Sequence, residues 1–157
     1  MPSNKLLQIA NLDQIRNDLP EKKIILVSGC FDVIHAGHVR FLLEAKNKAD
    51  LLVVGILADT FVKKRKGTKR PVFSAKERVE LLSHLTMVDY LFVFDSNEVE
   101  ELLTKLKPDF YGVGGDRKEN QLPEIKLLKK YEVKAVFLSR FGNNSTSKIL
   151  AKVFTNP

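Results

Sequence analysis

The chain has 157 residues, 44% hydrophobic and 29% charged, which suits one soluble domain and excludes wholesale disorder. No apolar run approaches the ~20 residues that span a bilayer. The start Met1-Pro2-Ser3-Asn4-Lys5 leads into no secretory core, and a single cysteine, Cys30, excludes a disulfide framework and a cysteine-based zinc site, so a cytoplasmic location is expected. The net charge of +7 points to an anionic partner: nucleic acid, acidic lipid or a phosphorylated small molecule.

Residues 1–22 read as a polar lead-in with a short helix near Leu12 to Leu19, and residues 23–157 as the folded domain. Lys23-Ile24-Ile25-Leu26-Val27-Ser28 is rich in β-branched residues and stops at Gly29, so it predicts a buried strand. His38 to Lys48 carries Val39, Leu42, Leu43 and Ala45 at helical spacing. Leu51 to Leu57 is a second buried strand, followed by a polar, basic stretch from Lys63 to Arg70. Ser74-Ala75-Lys76-Glu77 has the form of a capping box and opens a helix with Val79, Leu81, Leu82 and Leu85. Tyr90 to Phe94 is a third strand; Asn97 to Leu106 is a helix ended by Pro108. Phe110 to Val113 is a fourth strand running into Gly114-Gly115. Leu122 to Tyr131 is helical, Lys134 to Leu138 is a fifth strand, and Ser145 to Val153 is the last helix. Strands without polar alternation, interleaved with helices, predict an α/β fold: a single-domain, doubly wound, mainly parallel five-stranded sheet of Rossmann-like type. Ligands on such sheets bind beyond the carboxyl ends of the strands.

After the first strand the chain reads Gly29-Cys30-Phe31-Asp32-Val33-Ile34-His35-Ala36-Gly37-His38. Neither a P-loop nor a Gly-x-Gly-x-x-Gly turn occurs anywhere in the chain. Two imidazoles flank a glycine at a strand-to-helix junction instead. The first turn of a helix exposes unpaired N–H groups and the positive end of its dipole. Gly37 lets an anion approach the backbone, and His35 and His38 reach the same side of the turn. The dipole favours neutral rings when the site is empty, and a bound polyphosphate favours their protonation. Either form donates to phosphate oxygens that gain charge in a transition state. Helix-start histidines satisfied by backbone are the plainer alternative; metal binding by the pair lacks an evident third ligand. Cys30 reads as a packed small side chain and His84 as structural.

The segment Gly29 to Val39 resembles the signature of the cytidylyltransferase-like nucleotidyltransferases. Lys66-Gly67-Thr68-Lys69-Arg70-Pro71-Val72, Arg78 with Leu81 and Leu82, Val88-Asp89-Tyr90, Lys107-Pro108-Asp109, Gly114-Gly115-Asp116 and Ser145-Thr146-Ser147 follow in the family's order. Within the family the likeness is greatest to the heptose 1-phosphate adenylyltransferases, which share the helical lead-in, the Gly-Cys-Phe-Asp start and the Lys-Gly-x-x-Arg-Pro-Val stretch. Two segments depart from that pattern: Val113 stands where those enzymes usually carry a lysine, and Arg140 to Ser145 differs from the usual run before the serine-threonine pair.

The resemblance implies nucleotidyl transfer: an acceptor phosphate attacks the α-phosphorus of a nucleoside triphosphate and pyrophosphate leaves. It implies His35, His38, Lys66 and Arg78 as catalytic residues, with Lys63 and Lys66 on the substrate phosphates. The nucleotide would be bound by Gly29, Cys30, Phe31, Asp32, His35, Gly37, His38, Gly114, Gly115, Asp116, Ser145, Thr146 and Ser147. Asp32 either orients a water on Mg²⁺ or holds its loop; Ser145 or Thr146 also suits a helix cap. Mg²⁺ is expected to arrive with the triphosphate and no protein-held metal is expected. ATP is favoured over CTP, the acceptor is a sugar or polyol phosphate, and related enzymes often form homodimers. Cytidylyl transfer to glycerol 3-phosphate or another polyol or amino-alcohol phosphate is the alternative reaction. A non-catalytic nucleotide module and a nucleic-acid-binding protein are the competing classes. The latter rests only on the charge and the Lys63–Arg70 run, without aromatics or a base-reading helix, so neither nucleic acid nor membrane is expected as a partner.

Overall fold

Five contiguous apolar runs become five parallel strands in the computed structural model, which describes residues 4–115, 117–139 and 145–155. The strands are β1 (Ile24–Gly29), β2 (Leu51–Leu57), β3 (Tyr90–Phe94), β4 (Phe110–Gly114) and β5 (Lys134–Leu138). The helices are α1 (Asp13–Asp18), α2 (Ala36–Lys46), α3 (Asp59–Lys66), α4 (Ala75–Ser83), α5 (Val99–Leu106), α6 (Ile125–Lys130) and α7 (Thr146–Thr155). The strand order is β3-β2-β1-β4-β5, with Leu26 of β1 in register with Val53 on one side and Tyr111 on the other.

Helices on both faces explain why the strands show no polar alternation. Ile24 and Leu26 of β1 face a core shared with Leu12, Ile15, Leu102, Leu103 and Leu106. Ile25 and Val27 face the opposite core, with Leu42, Ala45, Val79 and Leu82. Each such side chain, removed from water, contributes roughly 1.5–3 kcal/mol before entropy is counted. The lead-in packs into the first core through Leu12 and Ile15. It also covers the outer edge of β3, where Leu7 N–H donates to Leu91 O and Leu91 N–H to Lys5 O. Among the described residues no helix is long and apolar enough to cross a membrane.

Local chemistry sets most element ends. Ser74 and Glu77 form the expected reciprocal capping box at α4, and α5 closes on left-handed Lys107 just before Pro108. Two expectations need correction. The helix expected over Leu122 to Tyr131 begins only at Ile125, because the residue before Pro123 is held extended, with φ −81° and ψ 118°. The basic stretch expected to be non-helical from Lys63 begins inside α3. There Asp59 occupies the first turn, Val62 is buried, and Lys63, Lys64, Arg65 and Lys66 fill the last turn, where cations suit the helix dipole. Gly67, at φ +94°, ends the helix in a conformation that L side chains disfavour.

Candidate active site

The strand order reverses at β1, with β2 and β4 on its two sides, and such a switch point opens a crevice beyond the strands' carboxyl ends. The loop leaving β1 and the Gly114-Gly115 turn leaving β4 meet there. Just beneath, Ser28 Oγ and Tyr111 Oη lie 2.6 Å apart and join the two strands. Burial pushes the Tyr111 hydroxyl up to about 12, so it stays protonated.

The loop after β1 is shaped from within. Phe31 adopts φ +47° and turns its ring back over the strand end, where a Cβ on Gly29 would come within 2.9 Å of it. Phe31 is buried in the core beside α2, and its ring packs on His38 with centroids 5.5 Å apart. His35 and His38 stack at 4.0 Å and 31°, so the structure does bring the two imidazoles together.

Their chemistry differs. His35 is the N-cap of α2: its Nδ1 accepts from Gly37 N–H at 3.1 Å. The neutral ring therefore carries its proton on Nε2. Protonating Nδ1 would break the cap, which opposes the expected double protonation by a bound polyphosphate. Gly37 N–H thus serves the ring and His38 N–H serves His35 O at 2.9 Å, so these two first-turn donors are already engaged within the protein. His38 Nδ1 is buried without a hydrogen-bond partner among the described residues. Burial, then the neighbouring His35 and Lys66, lower the His38 pKa to about 4; burial alone lowers that of His35. Both rings are neutral at pH 7.

Two buried charges frame the loop. Asp32, 1% exposed, accepts on Oδ1 from Val72 N–H at 2.8 Å and Phe73 N–H at 2.9 Å. Its Oδ2 pairs with Arg70 Nε at 2.7 Å. These bonds tie the loop after β1 to residues 70–73. Arg78 is fully buried. Its Nε donates to Phe73 O, Nη1 to Cys30 O, and Nη2 to Leu57 O and to Asp59 Oδ1. Arg78 was expected on a phosphate; its buried guanidinium makes four hydrogen bonds to the protein. Burial pushes the Cys30 thiol up despite the nearby Lys66 and Arg78, so it stays protonated at neutral pH.

Lys63 and Lys66 are exposed on the last turn of α3. Lys66 is near enough for its charge to act on both His38 and Cys30. Ser145 Oγ accepts from Lys148 N–H and caps α7, while Thr146 Oγ1 donates to Val33 O at 3.3 Å and ties that helix start to the β1 loop. Ser147 is exposed. Gly114 ends β4 and Gly115 lies in the following turn. Asp116 and the Arg140–Asn144 segment lie outside the described residues. Asp59 and Arg70 hold the two ends of the α3 segment; the sequence places Arg70 in the Lys66–Val72 stretch without assigning it a site role, and an acid opening a helix after a buried strand is the local mark of Asp59. No three His, Cys, Asp or Glu side chains among the described residues converge to hold a metal.

A family model described as cytidylyltransferase-like matches residues 26–151. The bifunctional protein HldE of Campylobacter concisus (strain 13826) is 40% identical over 127 residues, 81% of this chain and 27% of that protein. The bifunctional protein HldE of Helicobacter pylori (strain P12) is 41% identical over 147 residues, 93% of this chain and 31% of that protein. The chain thus spans less than a third of the length of these relatives. A lipopolysaccharide core biosynthesis protein from Thermoplasma volcanium GSS1 superposes with a TM-score of 0.67 at 28% identity, over 77% of this chain and 99% of that one. A pantoate-β-alanine ligase from Francisella tularensis shares the fold at 16% identity, with a TM-score of 0.63.

Proposed function

Because the chain belongs to the cytidylyltransferase-like family, we propose that it transfers a nucleotidyl group from a nucleoside triphosphate to a sugar phosphate, with ATP as donor and a heptose 1-phosphate as acceptor. The observation that carries this reading is the stacked His35–His38 pair, held neutral at the switch point of the sheet. The acceptor class draws on the sequence likeness to heptose 1-phosphate adenylyltransferases. It also draws on the relative whose name assigns it to lipopolysaccharide core biosynthesis, a saccharide product.

The reaction asks little covalent chemistry of the protein. A phosphate monoester is largely ionised near pH 7 and is its own nucleophile. Its oxygen attacks the α-phosphorus, the bond from that phosphorus to the bridging oxygen breaks, and pyrophosphate leaves with the electron pair. What the protein must do is align two mutually repelling anions and meet the charge that develops. His35 offers Nε2–H because its Nδ1 is committed to the cap. His38 lies against that ring and donates beside it, from a site dry enough to strengthen the bond. Lys63 and Lys66 contact the acceptor phosphate and the triphosphate from the end of α3. The start of α7, with Ser145, Thr146 and Ser147, receives the phosphate tail. Gly114 and Gly115 leave room for the nucleoside against backbone. Arg78 and Asp32 touch neither substrate; they hold the loops that do.

Among the described residues the carboxylates beside the β1 loop are engaged by the protein itself, Asp32 by Val72, Phe73 and Arg70, and Asp59 by Arg78. Mg²⁺ would arrive with the triphosphate and would neutralise part of its charge.

The test is pyrophosphate release by the purified chain with Mg²⁺, each nucleoside triphosphate in turn, and a panel of sugar and polyol phosphates. The expected result is release with ATP and heptose 1-phosphate and little with other pairs. Release only with CTP and a polyol phosphate would reassign both substrates, and no release with any pair would end the enzymatic reading.

A further inference from the structure

Between β2 and α4 the chain runs out through α3 and returns by Gly67 to Arg70-Pro71-Val72-Phe73. Residues 63–69 of this excursion are exposed throughout. In the first turn of α3, Val62 is buried and Thr60 Oγ1 donates to Asp95 Oδ2 at 3.1 Å, which holds the start of the helix against the end of β3. These contacts do not reach the imidazoles. The link to the imidazole loop is Asp59, whose Oδ1 accepts from Arg78 Nη2 at 2.6 Å. The same guanidinium holds Cys30 O at 2.5 Å, at the root of the loop that carries His35 and His38. The returning end is held from the same loop, by Asp32 on Arg70, Val72 and Phe73. Both ends of the basic excursion are thus fastened to the His35–His38 loop by buried charges.

We propose that Asp59, acting through Arg78, is a positioning residue that sets where the basic end of α3 stands relative to the paired imidazoles. This rests on the proposed nucleotidyl transfer, since Lys66 matters to catalysis only if phosphates lie between it and the rings. The physical grounds are the cost and the geometry of the pair. The Arg78 guanidinium is out of water and its Asp59 partner is 35% exposed. A buried arginine does not readily leave its one carboxylate, because an uncompensated charge there is expensive. Three further bonds to carbonyls fix the plane of the guanidinium, so the first residue of α3 is set in direction as well as in distance. One turn of error at this end is carried along a rigid helix to Lys66, and small misplacements of charged groups are costly in transition states.

The experiment is a double-mutant cycle on pyrophosphate release with Asp59→Ala and Lys66→Met, paired with amide exchange along α3. If Asp59 works by placing Lys66, Asp59→Ala lowers kcat about tenfold. Combined with Lys66→Met it costs no more than about twofold beyond that single change, because the group it positions is gone. The Val62 and Gly67 amides, which donate to Ala58 O and Lys63 O, exchange about tenfold faster in Asp59→Ala, while β1 and β2 amides keep their protection. Losses that multiply in the double variant would overturn the proposal, as would α3 exchange equal to that of the parent. Asp59→Asn keeps an oxygen on Nη2 and drops only the charge. It is the second variant should the alanine protein fail to fold, with the same cycle and a loss of about threefold. If the parent releases no pyrophosphate with any substrate pair, the functional reading falls, and α3 exchange alone then decides whether Asp59 places the helix.

Discussion

The two ends of the sheet use the same kinds of charged residue to opposite effect. At the amino end, Asp109 takes Arg16 at 3.0 Å, Lys23 at 2.9 Å and the Ile24 N–H at 2.9 Å, and Asp89 takes Lys46 at 2.6 Å and the Leu52 N–H at 2.7 Å. Each of those cations faces a carboxylate of the chain. At the carboxyl end Asp32 and Asp59 are consumed by the scaffold arginines Arg70 and Arg78. Lys63 and Lys66 are left with no ion pair among the described residues. Among the described residues one end neutralises itself and the other holds a positive surplus that an anion would balance. A site for two phosphates is thus recognised by where the carboxylates point more than by the number of cations.

The sharpest way to break this contrast is His38→Ala. At the carboxyl end it should lower kcat by about a thousandfold while the protein still folds cooperatively, since the ring supplies a donor to developing charge and only part of its surface is buried. Activity within a few-fold of the parent would remove His38 from the chemistry.

The mirror experiment is Asp109→Asn at the amino end. It should leave turnover unchanged and destabilise the fold by about 1–2 kcal/mol in denaturant unfolding, because the carboxylate serves three donors. Burial pushes the Asp109 carboxyl up, but Lys23, the Ile24 N–H and Arg16 outweigh it and hold the group below its ordinary range. Its contribution is therefore present at neutral pH and is lost as pH falls through the carboxylate range; the variant's acid unfolding curve should be correspondingly flatter. An equal loss of activity would show that the two ends are not separate in function.

The smallest effect is spectroscopic. The His38 ring should titrate near pH 4 by NMR, as burial, His35 and Lys66 dictate, and Lys66→Met should move the midpoint upward. In the folded protein the ring binds fewer protons than in the unfolded chain between about pH 4 and 6.5, so its contribution to stability falls as pH drops through that window and is constant below it. A midpoint near 6.5 would mean an open, hydrated ring.

Much of this was legible in the chain itself. The runs at Leu51–Leu57, Tyr90–Phe94 and Lys134–Leu138 gave strands with the bounds read from the sequence, because an apolar run bounded by polar residues and covered on both faces is a local signal. The Ser74–Glu77 box was legible for the same reason, since its partners are three residues apart. The α3 helix was not, because four successive basic residues conceal the one buried position, Val62, that docks it. Arg78 was read from the family resemblance as a phosphate ligand, and nothing local showed that it faces inward.

What the sequence by itself determined is the alternation of strand and helix, the His-x-Gly-His turn after β1 and a surplus of positive charge, all set by neighbours within a few residues. Only the tertiary structure decided the β3-β2-β1-β4-β5 order. It also decided the stacking of the two imidazoles and the spending of Asp32, Asp59 and Arg78 on the scaffold. The physical reason is separation: Arg78 finds Cys30 across 48 positions and Leu57 across 21. Whether a charge faces water or a buried partner is settled only when such distant segments pack.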